Sequence, residues 1–226
     1  MAFRELKKKI LALLQADDPR TAMEKIAAMP PRQAVNPLFG LLYHGDMRVR
    51  WQAVTALGVV VARLADRDPE SARVIMRRLM WNLNDESGGI GWGSPEAMGE
   101  IMARSEPMAE EYSRILISYL NPHGNYLEHP GLQAGALWAV ARLAHTRPAL
   151  TRDATPFMAH LLVSPRPQLR ALAALAAAAM ATPELRTQLK ALRKDDGTIT
   201  LYWNGRFEQM SISAIAVVAL AAIDSQ

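Results

Sequence analysis

Apolar residues recur at steps of three and four through most of the chain, the spacing that lines one face of an α-helix, and they do so in short runs. The runs come in pairs. Pro31 to Tyr43, Pro69 to Asn84, Met108 to Leu120, Thr155 to Val163 and Pro183 to Leu192 each read as an amphipathic helix followed by a second, Ala-richer one. Pro31, Pro69, Pro148 and Pro183 mark starts, where a missing N–H costs nothing. The second helices share a skeleton, clearest in Asp46-Met-Arg-Val-Arg-Trp-Gln-Ala-Val-Thr-Ala-Leu-Gly58. It returns around Leu132-Gln133, Leu169-Arg170 and Ile212-Ser213, and more faintly through Ala97 to Ile101. Its first small residue falls at Ala53, Ala97, Ala136, Ala173 and Ala216, at steps of 44, 39, 37 and 43. That is the period of a two-helix repeat. Small residues there predict that neighbouring second helices stack closely.

Two stretches break the pattern. Trp81 to Ile101 gathers two tryptophans, five glycines, four acidic residues and two asparagines between helices that need none of them to pack. Asp195 to Met210 alternates apolar and polar positions about Asn204-Gly205, which predicts a hairpin with strands near Thr198–Trp203 and Arg206–Met210. The hairpin is expected to lean on the helices through Leu201, Trp203 or Phe207, because an isolated one is marginal in water. The first pair, about residues 1–30, carries more charge and matches the skeleton poorly, as a terminal capping repeat should. One domain spanning residues 1–226 is expected.

Composition narrows the class. Half of the 226 residues are hydrophobic and none is cysteine, so a core is affordable while disulfides and Cys-based metal or nucleophile chemistry are excluded. The basic N-terminus reads as an amphipathic first helix and not a signal peptide. The apolar runs Ala171–Ala181 and Ile212–Ile223 fall short of the roughly 18–20 residues of a membrane span. A cytoplasmic protein without a cofactor or membrane contact is expected. The net charge of +4 comes from blocks separated by acidic stretches, which reads as solvated helix faces before a nucleic-acid stripe.

The Asp-x-x-Val-Arg-x-x-Ala-x-x-Ala-Leu-Gly pattern of Asp46–Gly58 resembles HEAT-like repeats of the kind found in phycobilisome-lyase-type proteins. The resemblance implies an all-α HEAT-like α-solenoid of about six helix pairs, with the β-hairpin (residues 197–210) as an insertion. It also implies a curved scaffold for proteins or nucleic acids and no lyase activity, because unrelated functions share the repeat. In that family Asp and Arg pair between adjacent repeats, so Asp46, Arg50 and Arg170 read as structural.

Candidate chemistry sits in the turns that join the first helix of a pair to the second. The long ones, Asn84–Ser94 and Asn121–Pro130, belong to successive repeats and are expected side by side. Asn84, Asp85, Glu86, Trp92, Glu96, His123, Tyr126 and His129 are the candidate binding residues, since long polar loops on a rigid scaffold concentrate such groups. Phosphate binding by Gly88, Gly89, Gly91 and Gly93 ranks low: no strand precedes them, and Asp85, Glu86 and Glu96 repel anions. Ser94 reads as an N-cap instead. A metal site from His123, His129 and Asp85 or Glu86 has no recognised spacing, and no metal is expected. Trp81 and Asp85 resemble the Trp and Asp of HEAT-like DNA alkylation repair glycosylases, with Trp138 and Arg142 as further stand-ins; the competing reading makes Trp81 a core aromatic beside Met80 and Leu83. The methionines, Met76, Met80, Met98 and Met102 among them, read as core filler. A non-catalytic scaffold with a protein partner is the expected function, and a DNA-directed enzyme the alternative.

Overall fold

A computed structural model of the chain describes residues 3–84 and 91–225. Among them are twelve α-helices, two short 3-10 helices and one antiparallel hairpin. The chain divides into two compact units, Met1–Glu111 and Tyr112–Gln226.

The first unit holds α1 (Phe3–Leu14), α2 (Pro19–Ala27), α3 (Pro31–Leu41), α4 (Met47–Ala65), α5 (Pro69–Leu83), α6 (Ser94–Arg104) and the start of α7 (Glu106–Ser118). Aspartates set the helix starts. Asp18 accepts from the Arg20 and Thr21 N–H groups, Asp46 from Arg48 N–H at 2.8 Å, and Asp68 from Ser71 N–H at 3.1 Å. Each satisfies a donor that the first turn leaves without an intrahelical partner. Asp46 is therefore a cap, not the inter-repeat ion-pair partner that the resemblance implied. The long α4 is the core of the unit and packs against α2, α3, α5 and α6. It approaches α6 closely at Gly58, where a Cβ would stand 2.8 Å from Glu100 Cβ and 3.2 Å from the Glu100 carbonyl. Gly93 lies in the same way against Leu42 at the end of α3. Ala53, Ala56, Leu57, Ala97, Met98 and Ile101 are sealed from solvent.

The second unit holds the rest of α7, then α8 (Pro130–Ala144), α9 (Thr155–Leu162), α10 (Pro167–Met180), α11 (Arg186–Leu192), β1 (Thr198–Trp203), β2 (Arg206–Ser211) and α12 (Ile212–Asp224). Helices α8, α10 and α12 pack in succession, with Ala136, Ala173 and Ala216 fully buried as the small-residue register requires. Arg170 does join neighbouring repeats: its Nε donates to Asp195 at 2.6 Å and its Nη1 to the Ser164 carbonyl at 2.8 Å. That guanidinium holds the Asp195 carboxyl below its ordinary range. The hairpin pairs Thr198 with Ser211 through Trp203 with Arg206. Asn204 and Gly205 both take positive φ (49° and 87°), the conformation a tight two-residue turn needs. It docks through β1, where Leu201, Tyr202 and Trp203 are buried, while Phe207 on β2 stays 37% exposed.

Candidate functional site

The site residues expected from sequence fall in both units. In the first unit they cluster where α4 and α6 begin. Asn84 ends α5, its N–H bonded to the Trp81 carbonyl at 3.0 Å, with an exposed side chain. Asp85 and Glu86 lie outside the described residues. Trp92 is half-buried and partnered. Gly93, at φ +74°, is the residue preceding α6, and a Cβ there would meet Leu42 Cδ2 at 3.0 Å.

Ser94 corrects an expectation. The cap position belongs to Gly93, which offers no side chain, and Ser94 is the first helical residue, fully buried. Its hydroxyl has no hydrogen-bond partner, and neither do Gln52 Oε1 and Glu96 Oε2. Gln52 is 2% exposed on α4, which packs against α6. Buried polar groups are nearly always paired, and leaving one unpaired costs about 1–3 kcal/mol. Three such atoms on two packed helices mark unused hydrogen-bonding capacity. Some of the Glu96 residue surface reaches solvent, but its Oε2 does not. Burial drives that carboxyl up to about 7, and the charge of Arg50 offsets the rise only in part. Sequence reasoning reached Glu96 but passed over Gln52, because nothing in its spacing distinguishes a buried amide that lacks a partner.

In the second unit, the loop before α8 is held by its own side chains. Asn121 Oδ1 accepts from His123 N–H at 3.0 Å, and Asn125 Nδ2 donates to Ser118 Oγ at 3.1 Å. His129 caps α8, its Nδ1 accepting from Gly131 N–H at 3.1 Å, so that nitrogen serves the fold. His123 is exposed. Among the described residues no group of three His, Asp or Glu side chains is placed to hold a metal. Tyr126 is different: its hydroxyl accepts from Gln133 Nε2, and both residues line a cleft of about 310 Å³ with His160, Ser164, Arg166 and Leu169.

The two tryptophans compared with a glycosylase site behave unlike one another. Trp81 is 75% exposed at the end of α5, which overturns the core-aromatic reading; only Met76, Met98 and Met102 of the methionines named beside it are sealed. Trp138 is buried, and its Nε1 donates to the Tyr202 carbonyl at 2.9 Å while its ring meets Trp203 edge-on at 5.8 Å. It anchors the hairpin.

No family model matches the chain. An uncharacterised protein of Archaeoglobus fulgidus is 33% identical over 84 residues, which is 37% of this chain and 43% of that protein. The match thus spans less than half of that relative. Among solved structures, an engineered protein superposes with a TM-score of 0.58 over 98% of this chain and 97% of its own, at 19% identity. A designed armadillo repeat protein gives 0.53 over 95% and 98%, at 18% identity. The chain has a HEAT/armadillo-like repeat fold. A second designed armadillo repeat protein, in complex with the peptide (KR)4, aligns equally well, with a TM-score of 0.54 and 18% identity over 95% of this chain and 98% of its own. Among the described residues no helix of this repeat protein is long and apolar enough to cross a membrane.

Proposed function

We propose that this repeat protein is a non-catalytic, cytoplasmic scaffold that acts as one domain and binds a segment of a protein partner. The contact is made at the start of α6, from Asn84 through Trp92 to Glu96; in the second unit the loop 123–129 offers a separate binding surface. The observation that carries this reading is the set of unpaired buried atoms, Gln52 Oε1, Ser94 Oγ and Glu96 Oε2. Holding such groups unpaired costs stability, and a fold that keeps several of them beside one helix start marks that place as shaped by more than packing. The fold supports a peptide as the ligand class, since a designed armadillo repeat protein carries one.

Panning a displayed random-peptide library on the purified chain tests the reading. Enriched peptides should bind in the micromolar range, and Trp92→Ala and Glu96→Ala should each weaken them about tenfold or more, the loss expected on removing an interface anchor. No enrichment, or intact binding beside a stability loss of about 3 kcal/mol or more in Trp92→Ala, would sink it. Release of alkylated bases from duplex DNA, abolished by Asp85→Asn, would put the enzyme in its place.

A further inference from the structure

We infer that the cleft between the loop before α8 and the start of α10 takes an acidic segment of the partner: an Asp or Glu side chain flanked by an apolar residue. The inference rests on the scaffold reading and gives it a ligand sign. The walls of the cleft are Tyr126, His160, Val163, Ser164, Pro165 and Arg166, with Gln133, Leu161 and Leu169 behind them. None of these carries a carboxylate. The Arg166 guanidinium and the His160 imidazole are both on exposed residues, and neither has a hydrogen bond or ion pair among the described residues. Tyr126 accepts from Gln133, which leaves its own O–H free to donate.

Ser164 is already engaged as an acceptor. Ser164 Oγ accepts from the Arg166 N–H at 3.2 Å, and the Ser164 carbonyl accepts from Arg170 at 2.8 Å. Asp195 is held by Arg170 and does not line the cleft. The cleft therefore offers donors and positive charge and asks for an acceptor with negative charge, which a carboxylate supplies in the geometry a guanidinium favours. Arg166 is also the residue that precedes α10, whose dipole adds positive potential at its N-terminal end. Val163, 64% exposed, and Pro165 form an apolar shelf at the mouth. A shelf beside a donor cluster suits an acidic residue with a Leu, Ile or Phe next to it. This sign is opposite to that of the (KR)4 peptide carried by the designed relative of the fold.

The test uses the full chain and three fluorescein-labelled peptides that share their apolar residues and differ only in carrying Glu, Gln or Lys at the remaining positions. Fluorescence anisotropy should show the Glu peptide binding about tenfold or more tightly than the Gln peptide, with the Lys peptide weakest. Arg166→Glu should abolish the preference, and Arg166→Gln with His160→Gln should reduce it about tenfold; both carry exposed, unbonded side chains, and unchanged melting curves verify their folding. Raising the salt to about 0.5 M should weaken the Glu peptide most, because screening acts on exposed charge pairs. Arg152→Gln, at a different cleft of the same unit, serves as the control and should change nothing. Equal binding of the Glu and Gln peptides, or Glu-peptide binding that survives Arg166→Glu, overturns the inference. So does displacement of the bound Glu peptide by a short DNA oligomer at lower concentration than by unlabelled peptide, or self-association of the chain that Arg166→Glu abolishes. In each of these cases, library peptides that still bind through Trp92 and Glu96 leave the scaffold reading standing; loss of those too removes both.

Discussion

Replacing Glu96 by Gln isolates one proton. In the folded chain the carboxyl titrates at about 7 because burial disfavours its charge, against an ordinary value of 4.5. Between those two values the folded state holds a proton that the unfolded state has released. Folded stability from this group is therefore complete below about 4.5, declines as pH rises, and levels off above about 7. At about 1.4 kcal/mol per pH unit, the decline amounts to about 3 kcal/mol as an upper limit. Glu96→Gln keeps the shape of the side chain and removes the titration. The variant should track the wild type near pH 5 and exceed it by up to about 3 kcal/mol at pH 8. For a chain of this size that corresponds to about 6–12 °C in Tm. His145 complicates the raw curves, since burial lowers its proton affinity and contributes the opposite slope. Both proteins contain it, so the difference between them cancels it. Paired melts or denaturant titrations at pH 5, 6, 7 and 8 give the measurement. A difference that stays flat across the series would mean that Arg50 reaches the carboxylate and pairs with it, and the buried, unpaired acid would be wrong.

Gly58→Ala should cost about 1–3 kcal/mol, because the added methyl meets the Glu100 backbone of α6 and not a flexible tip that could move aside; an unchanged melt refutes the close approach. Ala136→Leu, at a fully buried position on α8, should cost a similar amount by overpacking, and no change in Tm would show the repeat register to be mistaken. Arg170→Ala leaves the largely buried Asp195 carboxylate without its partner and should cost about 3 kcal/mol. The loss relative to wild type should shrink as pH falls through the depressed Asp195 value, and a denaturant series at low pH checks it. Trp138→Phe removes the indole donor from the Tyr202 carbonyl, and faster hydrogen exchange across β1 and β2 is the expected readout; unaltered exchange would mean that the hairpin is held by other contacts.

The repeat period, the helix pairs and the hairpin with its Asn204-Gly205 turn were legible in the chain because each rests on local physics. Side-chain spacing, Pro at helix starts and a positive-φ dipeptide act over a few residues; Asp18, Asp46 and Asp68 cap by the same local physics, although the repeat pattern pointed Asp46 to an ion pair. What the tertiary structure decided is where each polar group finds its partner. Trp81 looked like core by its neighbours, yet it stands 75% exposed at the end of α5. Ser94 looked like a cap, but the close approach of Gly93 to Leu42 moved the cap back one residue and sealed the hydroxyl inside. Gln52 and Glu96 gave no local sign of being left unbonded, since that depends on a helix 40 or so residues away. Arg166 and His160 carry no mark in the sequence pattern, and only the fold brings them to one cleft with Tyr126. Helix formation is settled by neighbours along the chain, whereas hydrogen-bond satisfaction is settled by neighbours in space.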